Sequence, residues 1–178
     1  SVVHEAGFPE GLFQTLLIGS KDVDAVIEDP RIKAVTLTGS TEAGKKVAAK
    51  AGSLIKKSVL ELGGSDAYVV LSDADIDKTV ETCVNSRLIN SGQSCIAAKR
   101  FIVMKDVAEE FSSKFQTLMQ SKQYGDPLQK GFAIGPLARH DLRDQLHEQV
   151  QQAIKAGAQC TLGGFIPDDE GAFYPPTI

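Results

Sequence analysis

Three stretches of this 178-residue chain combine residue types that can do chemistry. In Asn90-Ser91-Gly92-Gln93-Ser94-Cys95-Ile96-Ala97-Ala98-Lys99-Arg100, one thiol sits in a polar, glycine-bearing segment between two apolar runs. A free cysteine is more often a small buried hydrophobe than a nucleophile, so Cys95 gains meaning only from its setting. Gly92 suits the left-handed residue that ends a helix, which places Cys95 in a loop where backbone N–H groups can stabilise a developing oxyanion. No histidine adjoins it in the sequence. A loop thiol with a carboxylate elsewhere suggests covalent chemistry in which a thioester is made and then hydrolysed.

The carboxylate is Glu61, in Glu61-Leu62-Gly63-Gly64, at the end of a short apolar run and before a double-glycine turn. Ligands of parallel sheets bind outside the carboxyl ends of the strands, although most glutamates in such places are simply solvated. The third stretch, Thr36-Leu37-Thr38-Gly39-Ser40-Thr41-Glu42-Ala43-Gly44, reads as a strand turning through glycine and hydroxyl residues into a helix. A helix start presents unpaired N–H groups and the positive end of the helix dipole, and so stabilises an anion such as a pyrophosphate. Gly39 would let a ligand approach the backbone closely, and Ser40 could add a hydroxyl. With only Gly39 and Gly44 present this is not G-x-G-x-x-G, and a hydroxyl residue before a helix is first of all an N-cap.

Alternating helix and strand patterns must position these groups, which points to an α/β protein with a mainly parallel sheet. An opening helical piece ends at Gly7, and Phe8-Pro9-Glu10-Gly11 makes a turn. Strands are expected at Leu12 to Ile18, Ala34 to Thr38, Ser58 to Leu62, Ala67 to Leu71, Arg100 to Met104 and Gln159 to Leu162, the last with Cys160 as a core residue. Helices are expected at Lys21 to Glu28 and Thr41 to Ala51. Another opens from a Ser72–Asp75 capping box and buries Ile76, Val80, Cys83 or Val84, and Leu88. Val107, Phe111, Phe115 and Leu118 mark one further helix; Leu142, Leu146, Val150 and Ile154 mark the last, stopped by Gly157. That last helix carries His140 and His147 on one face. Residues 165–171 read as a surface loop.

Composition excludes several classes. A formal charge of −4 with interspersed signs argues against a dedicated nucleic-acid binder. Lys45, Lys46, Lys50, Lys56 and Lys57 lie close together, but Glu42 and Glu61 nearby make a solvated face the better reading. Every apolar run is broken well short of the roughly 18 residues that a membrane span needs. Cys83, Cys95 and Cys160 form no Cys-x-x-Cys pair and have no histidine at ligand spacing, so no disulfide framework and no metal site is expected, and a reducing, cytoplasmic setting fits.

Taken together, the three stretches resemble the aldehyde dehydrogenase superfamily. Thr38 to Gly44 is similar to its cofactor-pyrophosphate motif, Leu60-Glu61-Leu62-Gly63-Gly64 to its glutamate signature, and Gly92-Gln93-Ser94-Cys95 to its nucleophile signature; the order matches, as does the interval of 34 positions from Glu61 to Cys95. Flanking pieces agree, among them Gly125-Asp126-Pro127 and Ile134-Gly135-Pro136-Leu137. The resemblance implies that Cys95 adds to an aldehyde carbonyl, that Glu61 is the general base for thioester hydrolysis, and that the Cys95 N–H forms half of an oxyanion hole. It also implies that NAD or NADP lies against Thr38, Gly39, Ser40, Gly44, the Leu62 backbone and Gly63. Gly-Gly-Ser-Asp and Ala97-Ala98-Lys99-Arg100 are most like bacterial enzymes acting on succinate semialdehyde. Where the family usually has proline near Ala67, this chain does not.

The fold so implied is part of a Rossmann-type parallel sheet over residues 1–62, followed by part of the α/β catalytic domain over residues 63–178. The family places an oxyanion-hole asparagine and an adenosine-side lysine before the region matched here, and a glutamate-phenylalanine motif after it. On this reading the chain is a fragment that carries nucleophile and base without turnover of its own, and the full-length enzyme is a homo-oligomer. A Cys-dependent hydrolase using His140 or His147, and a non-catalytic α/β binding module, are the alternatives.

Overall fold

β-branched and hydroxyl residues alternate in Ala34–Thr38, and in the computed structural model this run is strand β1, with Val35 and Leu37 turned inward and Ala34, Thr36 and Thr38 exposed. The structure describes residues 2–168 and 170–178; Ser1, and Asp169 within the loop expected at residues 165–171, lie outside the described residues. Residues up to Gly63 pack as one unit and residues from Gly64 onward as a second.

The first unit opens with a short helix α1 (Val2–Glu5), followed by Gly7 at φ +82°, and continues through helix α2 (Val23–Glu28), β1, helix α3 (Thr41–Ser53) and strand β2 (Lys57–Glu61). β1 and β2 pair in parallel, from Ala34 opposite Lys57 to Thr38 opposite Glu61, and α3 supplies the crossover that such a pair requires. The lysine cluster is not a bare basic patch. Lys50 pairs with Glu28, and Lys56 donates to the Ile27 carbonyl and, at 2.7 Å, to the Asp29 carbonyl, tying the end of α2 to the entry of β2.

Leu12 to Ile18 forms no strand, contrary to its apolar pattern. Leu12, Leu16, Leu17 and Ile18 are exposed, and no ladder runs along the segment among the described residues. A strand exists only as a pairing, and apolar character alone does not supply the partner.

In the second unit β3 (Ala67–Val70) pairs in parallel with β4 (Arg100–Val103), and helices α4 (Ile76–Leu88), α5 (Lys105–Gln120) and α6 (His140–Lys155) accompany them. The core is built from Val70 on the sheet, Ile76, Val80, Cys83 and Val84 on α4, and Phe111, Phe115 and Met119 on α5. The three α5 residues recur every four positions and so share one face, where Phe101 closes on Phe115 at 4.9 Å between ring centroids.

Two local expectations fail for identifiable reasons. Asp75, not Ser72, caps α4: its carboxylate accepts from the Lys78 N–H at 3.2 Å, while the Ser72 hydroxyl donates to Asp106 at 3.1 Å at the start of α5. Gln159 to Leu162 is not a strand and Cys160 is exposed rather than core. This segment exchanges two backbone hydrogen bonds with Ile178, but Pro175 and Pro176 precede that residue and have no N–H with which to extend a ladder.

Helix α3 ends through Ile55, a β-branched residue held at φ +55° and 96% exposed. Left-handed backbone costs such a side chain about 1–2 kcal/mol, and its exposure offers no burial in return. Ile55→Asn is therefore expected to raise stability by about 1 kcal/mol, since asparagine tolerates this conformation. Urea unfolding of both proteins checks it; an unchanged or lower midpoint would contradict the strain argument.

Candidate active site

The carboxyl ends of β1 and β2 bring two of the three stretches together. Thr38 lies opposite Glu61, and the Gly39 N–H donates to the Glu61 carbonyl at 3.0 Å, so the glycine turn and the carboxylate share one edge of the sheet. Ser40 is the N-cap of α3, its hydroxyl accepting from the Ala43 N–H at 3.2 Å. The remaining N–H groups of the first turn stay available for an anion. A side chain at Gly63 would meet nothing within 4 Å, and one at Gly39 only the Leu37 side chain, so the backbone is open to close approach on both sides of Glu61. An exposed helix start flanked by two uncovered glycines fits the pyrophosphate of a dinucleotide.

Gly44 contributes differently. It is buried, and a Cβ there would fall 2.6 Å from Leu62 Cδ2. Its missing side chain lets α3 close onto Leu62, the residue after Glu61, so Gly44 supports the edge from beneath.

Cys95 belongs to the second unit, in the turn joining α4 to β4, and is exposed. The turn is rigidly built. Asn90 and Ser91 both adopt left-handed backbone, at φ +50° and +53°, followed by Gly92 at φ +78°. At Asn90 and Ser91 this backbone stores strain that surrounding bonds must hold, whereas Gly92 adopts it freely. Arg87 provides two, donating to the Gly92 carbonyl at 2.6 Å and to the Ala98 carbonyl at 2.8 Å, at either end of the cysteine segment. Burial lowers its guanidinium pKa, from a starting value so high that the charge persists. From the far side, the Ser91 hydroxyl accepts from the Gly135 N–H and the Gln93 side-chain oxygen from the Ala138 N–H, both at 3.0 Å. Ala97 and Ala98 are buried beneath the turn. A side chain at Gly64 would come 3.0 Å from the Cys95 carbonyl oxygen, so the segment entering β3 runs directly against the thiol-bearing residue.

The other cysteines differ. Cys83 is buried in the core, and burial pushes its thiol up, away from thiolate. Cys160 is exposed and its Sγ lies 3.3 Å from the Leu162 carbonyl oxygen. Among the histidines of α6, His147 makes a 3.0 Å hydrogen bond between Nδ1 and the Tyr174 hydroxyl, and His140 is exposed at the helix start. Arg87 was not foreseeable as part of the site, because its contacts are to carbonyls that no residue pattern marks. Among the described residues no cluster of three His, Cys, Asp or Glu side chains converges on a metal position, and no helix is long and apolar enough to cross a membrane.

In one unit the parallel strands end in an open glycine turn and a carboxylate; in the other an exposed thiol sits in a braced loop. This chain belongs to the aldehyde dehydrogenase family, whose model matches residues 1–178. It is 50% identical over 177 residues to an NADP(+) succinate-semialdehyde dehydrogenase of Mycobacterium avium, a match covering 99% of this chain and 38% of that protein. Two solved structures superpose on it: succinic semialdehyde dehydrogenase from Streptococcus pyogenes in complex with NADP+, at TM-score 0.94 and 36% identity over 99% of this chain and 39% of that one, and lactaldehyde dehydrogenase from Escherichia coli, at TM-score 0.95 and 36% identity over 99% of this chain and 37% of that one. The chain thus spans well under half the length of these relatives.

Two outcomes test the geometry. Native-state alkylation followed by peptide mass spectrometry should modify Cys95 and Cys160 and spare Cys83 until the chain unfolds; early modification of Cys83 would show that the α4 core is open. Gly44→Ala gains up to about 1 kcal/mol of helix propensity but overpacks Leu62 at a cost of about 1–3 kcal/mol. A net loss near 1 kcal/mol is expected, recovered relative to Leu62→Ala alone in the Gly44→Ala/Leu62→Ala double variant, and urea unfolding of the set measures the coupling.

Proposed function

We propose that this chain carries the nucleophile, the base and part of the dinucleotide site of an aldehyde dehydrogenase that oxidises succinate semialdehyde with NADP+. The substrate and the choice of NADP+ over NAD rest on the names of the relatives that match nearly all of this chain. Residues 1–62 serve as the second half of the dinucleotide-binding domain and residues 63–178 as the first part of the catalytic domain. Cytoplasmic location and homo-oligomerisation of the full-length enzyme belong to the same reading.

The observation that carries the mechanism is the state of the Cys95 turn. The backbone N–H groups of Cys95 and Ile96 make no hydrogen bond within the chain among the described residues, beside an exposed thiol on a braced backbone. Cys95 Sγ adds to the aldehyde carbonyl, forming a C–S bond, and the Cys95 N–H donates to the oxygen as it becomes negative. Thr38, Gly39, Ser40, Leu62 and Gly63 would hold a dinucleotide, which when bound would supply the hydride acceptor for oxidation to the thioester level. Glu61 then draws a proton from water, the water oxygen attacks the thioester carbonyl, and the C–S bond breaks to release succinate and return the thiol. The engagement of His147 with Tyr174 favours this route over a Cys–His hydrolase.

An activated ester of succinate forms the same thioester without hydride transfer and so tests the residues of this chain directly. Mono-p-nitrophenyl succinate should acylate Cys95, and Glu61→Gln should slow release of the acyl group by about 10²–10⁴-fold, so that succinyl-Cys95 accumulates. Labelling elsewhere, or unchanged release in Glu61→Gln, overturns the assignment. Aldehyde oxidation by these 178 residues alone is expected to be undetectable; full NADP+-dependent turnover in a steady-state assay would contradict that.

A further inference from the structure

Lys99 has no part in the chemistry just described, yet its ammonium lies on the Cys95 turn. Its Nζ donates to the Cys95 carbonyl at 3.0 Å, the Ala97 carbonyl at 3.0 Å and the Ser94 carbonyl at 3.2 Å. An ammonium has three donors, so this lysine spends its whole hydrogen-bonding capacity on one turn. In a trans peptide the C=O and N–H groups point in opposite directions. Drawing the Ser94 carbonyl toward Lys99 therefore turns the Cys95 N–H away from it, and drawing the Cys95 carbonyl does the same to the Ile96 N–H. Both N–H groups are without a partner in the chain among the described residues, as is that of Ser94.

We propose that Lys99 is a positioning residue that fixes the Ser94–Cys95 and Cys95–Ile96 peptide planes, so that the Cys95 and Ile96 N–H groups face the carbonyl oxygen of the group being attacked. The inference rests on the proposed role of Cys95 as nucleophile and adds to it a residue that touches neither substrate nor cofactor. A free turn of this kind would average over peptide orientations, and donors contribute most when they are oriented before charge develops. The ammonium also opposes the partial negative charge of three converging carbonyls, which would otherwise repel one another. Arg87 holds the ends of the segment, whereas Lys99 acts on the peptide units at the thiol itself.

Two reactions of the same thiol separate orientation from mere folding or charge. In acylation by p-nitrophenyl acetate the thiolate attacks a carbonyl, the C–S bond forms, the thiol proton passes to solvent, and p-nitrophenolate leaves through a tetrahedral oxyanion. In alkylation by iodoacetamide the thiolate displaces iodide at a saturated carbon and no oxyanion arises. Both rates are read at Cys95 by peptide mass spectrometry, with exposed Cys160 as an internal reference. Lys99→Met, which keeps the length of the side chain and removes its donors, should slow acylation of Cys95 about tenfold while alkylation of Cys95, and both reactions of Cys160, stay within twofold; Lys99→Arg should restore part of the acylation rate. Equal loss of both reactions at Cys95, or no loss of acylation, overturns the role of Lys99 while leaving Cys95 as the nucleophile. Acylation of Cys95 no faster, relative to its alkylation, than that of Cys160 in the unsubstituted chain overturns the proposed function and the role of Lys99 with it.

Discussion

The hydrogen bond from the Gly39 N–H to the Glu61 carbonyl sets where the two strands of the first unit stop relative to each other. Because β1 and β2 run in parallel, their carboxyl ends must lie on the same edge, and this bond closes the ladder just past Thr38 and Glu61. A slip of one residue would turn the carboxylate to the opposite face of the sheet and move the glycine turn away from it. The register is secured from outside the ladder as well. Buried Gly44 lets α3 press on Leu62, and Lys56 anchors the start of β2 to the end of α2. A helix start, an open turn and a carboxylate therefore share one edge for reasons that precede any catalysis.

The second unit solves a different problem. Cys95 is exposed and yet held in place, whereas exposed loops are ordinarily the mobile parts of a protein. Here the turn is forced through three consecutive left-handed residues and held by side chains that reach it from several directions: Arg87 from α4, Lys99 from the entry to β4, and the Gly135–Ala138 segment through Ser91 and Gln93. The strain at Asn90 and Ser91, about 1–3 kcal/mol for each such residue, is offset by hydrogen bonds to a partly buried guanidinium, which are stronger than those in water because their surroundings are less polar. Cys83, on the core face of α4, shows the other fate of a thiol: buried, with its pKa pushed up and little thiolate.

Most of this architecture was legible in the sequence because it depends on periodicity and on residues with one conformational use. The four-residue recurrence of Phe111 and Phe115 announced α5 and the apolar–polar alternation of residues 34–38 announced β1; Gly92 is left-handed as expected, but α4 itself ends earlier, at Leu88, with Ile89 at φ −54°. The three motifs located the sheet edge and the thiol loop through the family resemblance. What the sequence hid were relations between distant backbones. Leu12 to Ile18 looks like a strand until it lacks a ladder, Gln159 to Leu162 looks like one until its partner, Ile178, proves to follow two prolines that cannot extend the pairing, and Ser72 looks like a cap until its hydroxyl goes to Asp106. Arg87 and Lys99 were invisible for the same reason: their partners are main-chain carbonyls, present at every position and so marked at none.

The burial pattern separates what this chain does for itself from what it leaves open. Parallel sheets are normally covered on both faces. Here α4 and α5 cover one face of the β3–β4 pair, and Val69 and Ile102 on the other remain 61% and 52% exposed. Those side chains carry the apolar character of buried strands without the burial, in a chain that spans 38% of its Mycobacterium avium relative. The bonds that shape the Cys95 turn show no such incompleteness, since Arg87, Lys99, Gly135 and Ala138 all lie within the same unit as the thiol. The geometry of the Cys95 turn is thus a local property, closed within residues 64–178, whereas the sheet beside it presents an exposed apolar face at Val69 and Ile102.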